Sequence, residues 1–223
     1  MQHYQVLSAL LLYPEQALID SLGELEAVLE KTPDLHAPLR PLFAYLREGE
    51  LITLQENYVA TFDRNPSHSL HLFEHIHGES RDRGQAMVDL MEEYKRHGLQ
   101  MCGDDLPDYV PLFLEFLSQL EKGEAERLLS DAIHVMAHVG RKLAANASPY
   151  AVVFDVLQRL SPVAAEELTE PPVRDMDEAL ETFGPGADGV EPLLRKTMLG
   201  ANGTQPINFY PNGKRAAGSC AAG

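Results

Sequence analysis

The sequence predicts an all-α protein, built as a single-domain helical bundle with a largely irregular C-terminal part. Apolar residues recur at intervals of three and four over most of the chain up to residue 160, which is the spacing of one face of an α-helix. No segment shows the sustained alternation of apolar and polar residues that is typical of a half-buried strand. The Asp-Gly and Asn-Gly pairs at 188–189 and 212–213 lie in irregular sequence, so neither predicts a hairpin.

Four helices are predicted in the first 62 residues. The first ends before Pro14, which suits the first turn of the second helix, and we expect the second to end near residues 32–33. A loop with Asn65 and Pro66 at its centre follows the fourth helix over residues 63–69. The apolar residues at helical spacing in these helices are, in order, Leu7, Leu10 and Leu11; Leu18, Leu22, Leu25, Val28 and Leu29; Leu39, Leu42, Phe43 and Leu46; and Leu51, Leu54, Tyr58 and Phe62.

A long fifth helix is predicted over residues 79–97, with Gly98 as its stop, and residues 103–107 are predicted to form a turn. Three strongly apolar helices follow and end at Leu160. The inward-facing residues of these four helices are, in order, Met87, Leu90, Met91 and Tyr94; Val110, Phe113, Leu114, Leu117 and Leu120; Leu128, Leu129, Ile133, Met136, Val139 and Leu143; and Val152, Val153, Val156, Leu157 and Leu160.

Beyond Leu160, prolines and glycines interrupt the helical pattern, and helical fragments are expected only at residues 163–168 and 175–183. From residue 200 onward the sequence is low in residues that could pack against a core. The predicted organisation is therefore an all-helical domain over residues 1–170, a partly helical extension over 171–199 and a mobile tail over 200–223.

Charge and cysteine content exclude several classes of protein. The net charge of −16, from 34 acidic and 18 basic side chains, repels nucleic acid and anionic lipid and favours a basic partner. Two cysteines without a CxxC motif exclude a disulfide framework and a thiolate metal site built from this chain alone. The N-terminus lacks a basic segment, and its apolar run stops at Pro14. We therefore expect neither a signal peptide nor a membrane span, and a cytoplasmic location.

The sequence contains no motif for catalysis. It has no GxSxG, no GxxxxGK[ST] and no GxGxxG that opens a helix after a strand. Cys102 lies beside Asp104 and Asp105, and neighbouring negative charges disfavour a reactive thiolate. We therefore predict a protein that is not an enzyme and has no catalytic residues.

Four histidines, His68, His71, His75 and His77, lie within ten residues. On a helix, His71 and His75 would face one metal ion, with Glu74 or Glu79 as an oxygen ligand, although the segment contains no HExxH motif. The interpretation we favour is a structural, hydrogen-bonded role without metal. Metal binding, contact with a partner and pH sensing remain alternatives.

Gly84 and the residues around it suggest a close contact at the long helix. A glycine inside a helix costs about 1 kcal/mol relative to alanine, so the missing Cβ suggests that another backbone approaches closely. That backbone could belong to an internal helix, which we favour, or to a bound peptide. Arg81 and Arg83 flank Asp82, where an ion-pair set at the helix start is the simplest interpretation.

Several stretches carry a family resemblance. They are Tyr58, Phe62 and Asp63; residues 69–75 (SLHLFEH); residues 78–87 (GESRDRGQAM); residues 106–111 (LPDYVP) with 114–117 (LEFL); and residues 205–209 (QPINF). In this order they resemble the NarJ family, the molybdenum cofactor assembly chaperones, or delta subunits, of respiratory nitrate reductase. This family belongs to the helical redox-enzyme maturation chaperones, so the resemblance implies the same all-α fold.

The resemblance also implies a function. Chaperones of this family bind the apo catalytic (alpha) subunit of nitrate reductase in the cytoplasm, through its N-terminal segment and a second region. They permit insertion of iron–sulfur clusters and molybdenum cofactor before membrane docking, and they are not part of the final enzyme. No cofactor of the chaperone's own is implied, and cofactor-delivery proteins are further candidate partners. The alternatives are a chaperone for another molybdoenzyme of the superfamily and a histidine-based metal-binding helical protein.

The client site is predicted as a groove between residues 70–87 and 104–113, the two blocks that depart most from generic helix composition. A basic amphipathic client peptide would place its apolar face on this groove and its cations near the acidic turn. The predicted contact residues are Leu72, Phe73, Glu74, His75, Arg81, Arg83, Met87, Asp104, Asp105, Asp108, Val110 and Phe113.

Overall fold

The computed structural model describes residues 2–78, 81–101 and 105–168, and for Arg81 the backbone alone. Within these ranges the protein is helical and contains no strand, which confirms the all-α prediction. The α-helices are α1 (Gln2–Leu10), α2 (Gln16–Leu29), α3 (Pro33–Glu48), α4 (Leu51–Tyr58), α5 (Glu74–His77), α6 (Arg81–Arg96), α7 (Val110–Gln119), α8 (Lys122–Ala145) and α9 (Ala151–Leu160).

Prolines and glycines lie near the helix ends, but Pro14 precedes α2 instead of standing in its first turn, and α2 ends at Leu29 and not near residues 32–33. Pro14 lies two residues before α2, and Gly98 follows α6 with the positive φ of 77° that favours glycine after a helix. The helical fragment predicted at residues 163–168 is wrong, because that segment has no helical structure and the Glu166 N–H donates to His134 Nδ1 of α8 at 2.9 Å. The predicted fragment 175–183, the extension 171–199 and the tail 200–223 lie outside the described residues.

The core is formed by helices that are distant in the sequence. Helix α1 packs against α7 and α2, α8 packs against α9 and α7, and α3 packs against α2 and α9. Leu7 of α1, Phe113 of α7 and Phe154 of α9 have no solvent exposure. The buried Ser8 hydroxyl of α1 donates to the Pro111 carbonyl oxygen at 2.7 Å, so it retains a partner in the interior.

One close contact between helices involves Gly140, which the sequence did not single out. A Cβ at Gly140 in α8 would lie 2.6 Å from the Phe154 Cβ of α9, so these helices approach at a distance that only glycine permits. A Cβ at Gly84 would meet nothing within 4 Å, and Gly84 is exposed. No helix of the described residues therefore approaches Gly84 as the internal-helix expectation required, and the alternative of a bound peptide stays a prediction.

Helix α6 is held to α8 by a buried carboxylate. Glu93 has no solvent exposure, and its oxygens lie 2.9 Å from Arg96, 3.4 Å from His97 and 3.4 Å from Arg127 of α8. The charge is tolerated in the interior because cations surround it. The Tyr94 hydroxyl, one helical position along, donates to the Pro107 carbonyl oxygen at 2.6 Å. These contacts place α6 beside the segment that leads into α7.

Candidate functional site

The two blocks predicted to border the client groove pair with each other through their backbones. His71 and Tyr109 form an isolated antiparallel bridge. The Leu72 N–H donates to the Asp108 carbonyl oxygen at 3.1 Å, and the Val110 N–H donates to the Leu70 carbonyl oxygen at 2.8 Å. We call this pairing of residues 70–73 with 108–110 the junction. The structure thus brings the two predicted blocks together, with hydrogen bonds along the line where the groove was expected.

Asp108 is the polar centre of the junction. Its carboxylate is fully buried, and one oxygen accepts the Phe73 backbone N–H at 3.0 Å while the other lies 3.2 Å from His71 Nδ1. A buried carboxylate is stable only when its oxygens are satisfied in this way. Asp108 therefore ties the segment before α5 to the segment before α7, and it points inward.

The remaining predicted contact residues fall into three groups. Leu72, Phe73, Val110 and Phe113 are at most 1% exposed, so in this structure they are core residues behind the junction, and a client reaches them only if the junction opens. Asp105 is exposed and Met87 is partly buried, whereas Asp104 and the Arg81 side chain lie outside the described residues. The other three are Glu74, which accepts a hydrogen bond from Arg83 at 3.0 Å, Arg83 itself, and the buried His75.

An open cleft of about 570 Å³ lies on one side of the junction. This volume is in the range of sites that hold small molecules or short peptide segments. The cleft combines the turn after α1, the end of α4, the segment that leads into α5, and Tyr109. Its lining residues are Tyr13, Tyr58, Phe62, Asp63, Pro66, Ser69, Leu70, His71, Glu74, His75, Gly78 and Tyr109.

Aromatic rings form one wall of the cleft. The Tyr58 ring packs edge-on against Tyr13 with ring centres 5.5 Å apart, and it packs in a tilted arrangement against Phe62 with ring centres 4.8 Å apart. The Tyr58 hydroxyl donates to the Leu11 carbonyl oxygen at 2.9 Å and lies 3.5 Å from the Tyr109 hydroxyl. Burial raises the pKa of both the Tyr58 and Tyr109 phenols, so both remain neutral. Tyr58 is thus fixed in place, while Tyr13 is 42% exposed at the rim.

A π-helical turn, Val59–Asp63, places Phe62 and Asp63 at the cleft. The Arg64 N–H bonds the Val59 carbonyl oxygen at 3.0 Å, one residue further back than in an α-helix, and such turns are frequent at functional sites. Asn65 then starts a short 3₁₀ turn by accepting the Ser67 N–H at 3.1 Å. Asp63 is exposed, and within the described ranges no cation pairs with its carboxylate. A negative charge is therefore available at the cleft.

His68, His71 and His75 make hydrogen bonds to other groups of the protein. His68 Nδ1 lies 3.0 Å from the Thr61 carbonyl oxygen, and His75 Nε2 lies 2.8 Å from that of Ser69. His71 is bonded to Asp108, and helix α5 begins only at Glu74, so His71 and His75 do not share the helical face that the metal alternative required. These contacts agree with the structural interpretation. Burial lowers the pKa of His77, which packs against the Phe73 ring.

A different group brings metal-binding atoms together. The ligand atoms of Glu93, His97 and Glu124 lie within 4.8 Å of one another. Arg127 lies 2.6 Å from Glu124 and 3.4 Å from Glu93, so a guanidinium already neutralises these carboxylates. A metal ion would have to displace that cation. The group is an ion-pair network that fastens α6 to α8.

Tyr13 is the functional candidate that sequence reasoning missed. A single tyrosine in a short turn between two helices carries no sequence signal for binding. Its position becomes meaningful only because Tyr58, 45 residues later, bonds the carbonyl oxygen of Leu11 in the same turn. Tyr58, Phe62, Asp63 and Tyr109 belong to the stretches that carry the family resemblance, but none of them was among the predicted client contacts.

The chain is similar to known proteins over most of its length. Residues 29–156 match the family described as nitrate reductase delta subunit. The chain is 39% identical over 186 residues to the nitrate reductase molybdenum cofactor assembly chaperone NarJ of Escherichia coli (strain K12), with 79% of each protein covered. It is 38% identical over 162 residues to the probable assembly chaperone NarW of that strain, covering 72% of this chain and 68% of NarW. A probable NarJ of Bacillus subtilis (strain 168) is 28% identical over 156 residues, covering 69% of this chain and 85% of that protein.

Two further observations bear on the function. No helix in the described part of the chain has both the length and the apolar character that crossing a membrane requires. The range matched by the family includes every cleft residue except Tyr13.

Proposed function

The chain belongs to the nitrate reductase delta subunit family, and from that premise we propose that it binds the apo catalytic subunit of a nitrate reductase through that subunit's N-terminal segment. The family consists of cofactor assembly chaperones and not of enzymes. In this proposal the chaperone holds its client in the cytoplasm while iron–sulfur clusters and molybdenum cofactor are inserted, and releases it before membrane docking. A second client region and cofactor-delivery proteins complete the proposed set of contacts.

The observation that carries the proposal is the cleft. It is open, it is walled by aromatic rings, and it carries the Asp63 carboxylate, which no cation of the described residues pairs with. An apolar side chain of a peptide would pack against Tyr13 and Tyr58, while a neighbouring Lys or Arg would approach Asp63. We therefore place the client peptide in the cleft and on its walls formed by Glu74 and His75. Leu72, Phe73, Val110 and Phe113 support that wall from behind.

The proposed mechanism is a shift in the client's conformational equilibrium. A chaperone that binds the open, cofactor-free form of the client more tightly than the closed form raises the population of the open form. The shift is limited by the difference in affinity for the two forms. Burial of apolar side chains in the cleft supplies most of that affinity, because an exposed ion pair contributes only about 0–1 kcal/mol and a buried aromatic anchor about 2 kcal/mol or more.

Fluorescence titration tests the proposal. The chain contains no tryptophan, so a single tryptophan in a synthetic peptide of the reductase N-terminus reports binding without background. We expect Tyr13→Ala to weaken binding at least tenfold, Asp63→Asn to weaken it severalfold, and higher salt to weaken it severalfold. The matched control is Leu12→Ala, since Leu12 is also 42% exposed, precedes Tyr13 directly and does not line the cleft.

Two results contradict the cleft assignment. The first is unchanged affinity in Tyr13→Ala and Asp63→Asn variants that keep the helical circular dichroism of the parent. The second is an equal loss of affinity in Leu12→Ala. Phe73→Ala is unsuited to the test, because truncation of a core phenylalanine costs about 3–5 kcal/mol and would weaken binding through unfolding.

A further inference from the structure

The acidic and basic residues of this chain are unevenly distributed. All 34 acidic residues and 14 of the 18 basic residues precede position 192, so residues 1–191 carry a net charge of −20. Residues 192–223 contain four cations, namely Arg195, Lys196, Lys214 and Arg215, and no acidic residue. The last part of the chain is thus a basic segment attached to a strongly acidic protein, and the two attract each other.

Part of this basic segment has the chemistry that the cleft recognises. In residues 205–215 (QPINFYPNGKR), Ile207, Phe209 and Tyr210 are followed closely by Lys214 and Arg215. The cleft offers the rings of Tyr13 and Tyr58 beside the Asp63 carboxylate, to which the described part of the chain supplies no cation. Aromatic anchors next to cations therefore match an aromatic wall next to an anion. The other basic stretch, residues 193–199 (LLRKTML), has two cations and four apolar residues but no aromatic ring.

The length of the intervening chain permits this contact. The described chain ends at Leu168, after Glu166 has bonded to His134 on α8. The 39 residues from there to Ile207 span up to about 130 Å when extended, compared with a diameter of about 40 Å for a domain of this size. A segment tethered in this way has an effective concentration in the millimolar range at a site on the same molecule. Even weak intrinsic affinity then produces appreciable occupancy.

We propose that residues 205–215 of the same chain occupy the cleft when no client is present, so that the chaperone carries its own competitor for the client peptide. The inference rests on the proposed function in taking the cleft as the client site. A segment with an intrinsic dissociation constant of about 0.1–0.5 mM, at an effective concentration of about 1 mM, fills most of the cleft and lowers the apparent client affinity about three- to tenfold. Binding of the client then requires displacement of residues 205–215.

A tryptophan at position 209 tests the occupancy directly. In the full-length Phe209→Trp variant the indole is the only one in the chain, so its emission reports the surroundings of this segment alone. We expect blue-shifted emission that moves to the red with Tyr13→Ala or Asp63→Lys, or when excess synthetic peptide 205–215 is added. The matched controls are Leu12→Ala, which leaves the emission unchanged, and Leu194→Trp, whose emission does not respond to Tyr13→Ala.

Three outcomes overturn the inference. In the first, the emission of Phe209→Trp is typical of an indole in water and does not respond to Tyr13→Ala. In the second, the emission of Leu194→Trp responds to Tyr13→Ala and that of Phe209→Trp does not. In the third, the blue shift depends on protein concentration, which means that the segment comes from a second copy. The reductase peptide separates this test from that of the proposed function. If it binds as proposed while the indole stays exposed, only the inference fails. If the indole is buried in the cleft and the peptide does not bind, only the proposed function fails.

Discussion

Removal of the buried Asp108 carboxylate is expected to destabilise the whole domain. Asp108→Ala removes the carboxylate that accepts the buried Phe73 N–H, and the loss of this hydrogen bond costs about 1–3 kcal/mol. The lost bond to His71 adds less, because His71 is 30% exposed and water can replace the carboxylate there. The small void left by the carboxylate contributes about a further 1 kcal/mol. We therefore expect a loss of about 2–4 kcal/mol in the free energy of unfolding, within the 5–15 kcal/mol typical of a folded domain.

Urea denaturation followed by circular dichroism measures this loss. The slope of the transition should stay constant, so that the midpoint reports the change in stability. Asp108→Asn keeps one oxygen for the Phe73 N–H and should cost about half as much as Asp108→Ala. The matched control is Asp105→Ala, three residues earlier and exposed, for which we expect a change of less than about 0.5 kcal/mol.

The same variants separate a structural Asp108 from one that contacts the client. If Asp108→Ala unfolds within about 0.5 kcal/mol of the parent, the carboxylate does not hold the junction. If that stable variant also loses the reductase peptide, Asp108 binds the client, as the sequence alone suggested. If Asp108 is structural, the affinity for the peptide falls only to the extent that the domain is unfolded.

Three further predictions concern the glycines, a histidine and the C-terminal residues. Gly140→Ala should lower the free energy of unfolding by about 1–2 kcal/mol, because its Cβ meets the Phe154 Cβ. Gly84→Ala should raise this free energy by about 0.5–1 kcal/mol, because alanine favours the helix. If urea denaturation shows that both variants change stability in the same direction, the contact assigned to Gly140 is wrong. The lowered pKa of His77 means that the unfolded chain binds more protons than the folded one, so stability should fall as pH drops through about 6.5. In His77→Gln, the urea midpoint should depend less on pH between about pH 8 and 5.5 than it does in the parent. A chain ending at Gly200 should keep its helical circular dichroism and lose at most about 2–4 °C in Tm, since docking of residues 205–215 adds only about 1 kcal/mol, and a larger drop would show that they are part of the fold.

Periodicity predicted the helices because each one buries a regular apolar face. The spacing of Leu39, Leu42, Phe43 and Leu46 is preserved in α3, and all four are fully or almost fully buried. The helix predicted at residues 163–168 is wrong because this segment does not bury a regular apolar face. Their backbone finds a partner on another helix, as the Glu166 N–H does at His134, and such a long-range bond leaves no pattern in the local sequence.

The site was less predictable because it depends on contacts between distant residues. The motifs identified the two blocks that meet at the junction, but no pattern indicates that Asp108 turns inward to the Phe73 N–H. An acidic residue in a turn is expected on the surface, and only its partners reverse that expectation. Similarly, Gly84 and Gly140 both interrupt helices, and only the position of Phe154 shows which of them is in close contact.

The pairing of α1 with α7 has a consequence for how the protein is made. The Ser8 hydroxyl meets the Pro111 carbonyl oxygen across 103 residues of sequence, and the cleft needs both the turn after α1 and Tyr109. At about 5–20 residues per second, a ribosome takes about 5–20 s to synthesise the chain between these partners. Throughout that interval α1 presents its apolar face without α7 to cover it. A newly synthesised chain therefore acquires its cleft only after α7 is made, so it cannot capture a client in the cleft before that point of its own synthesis.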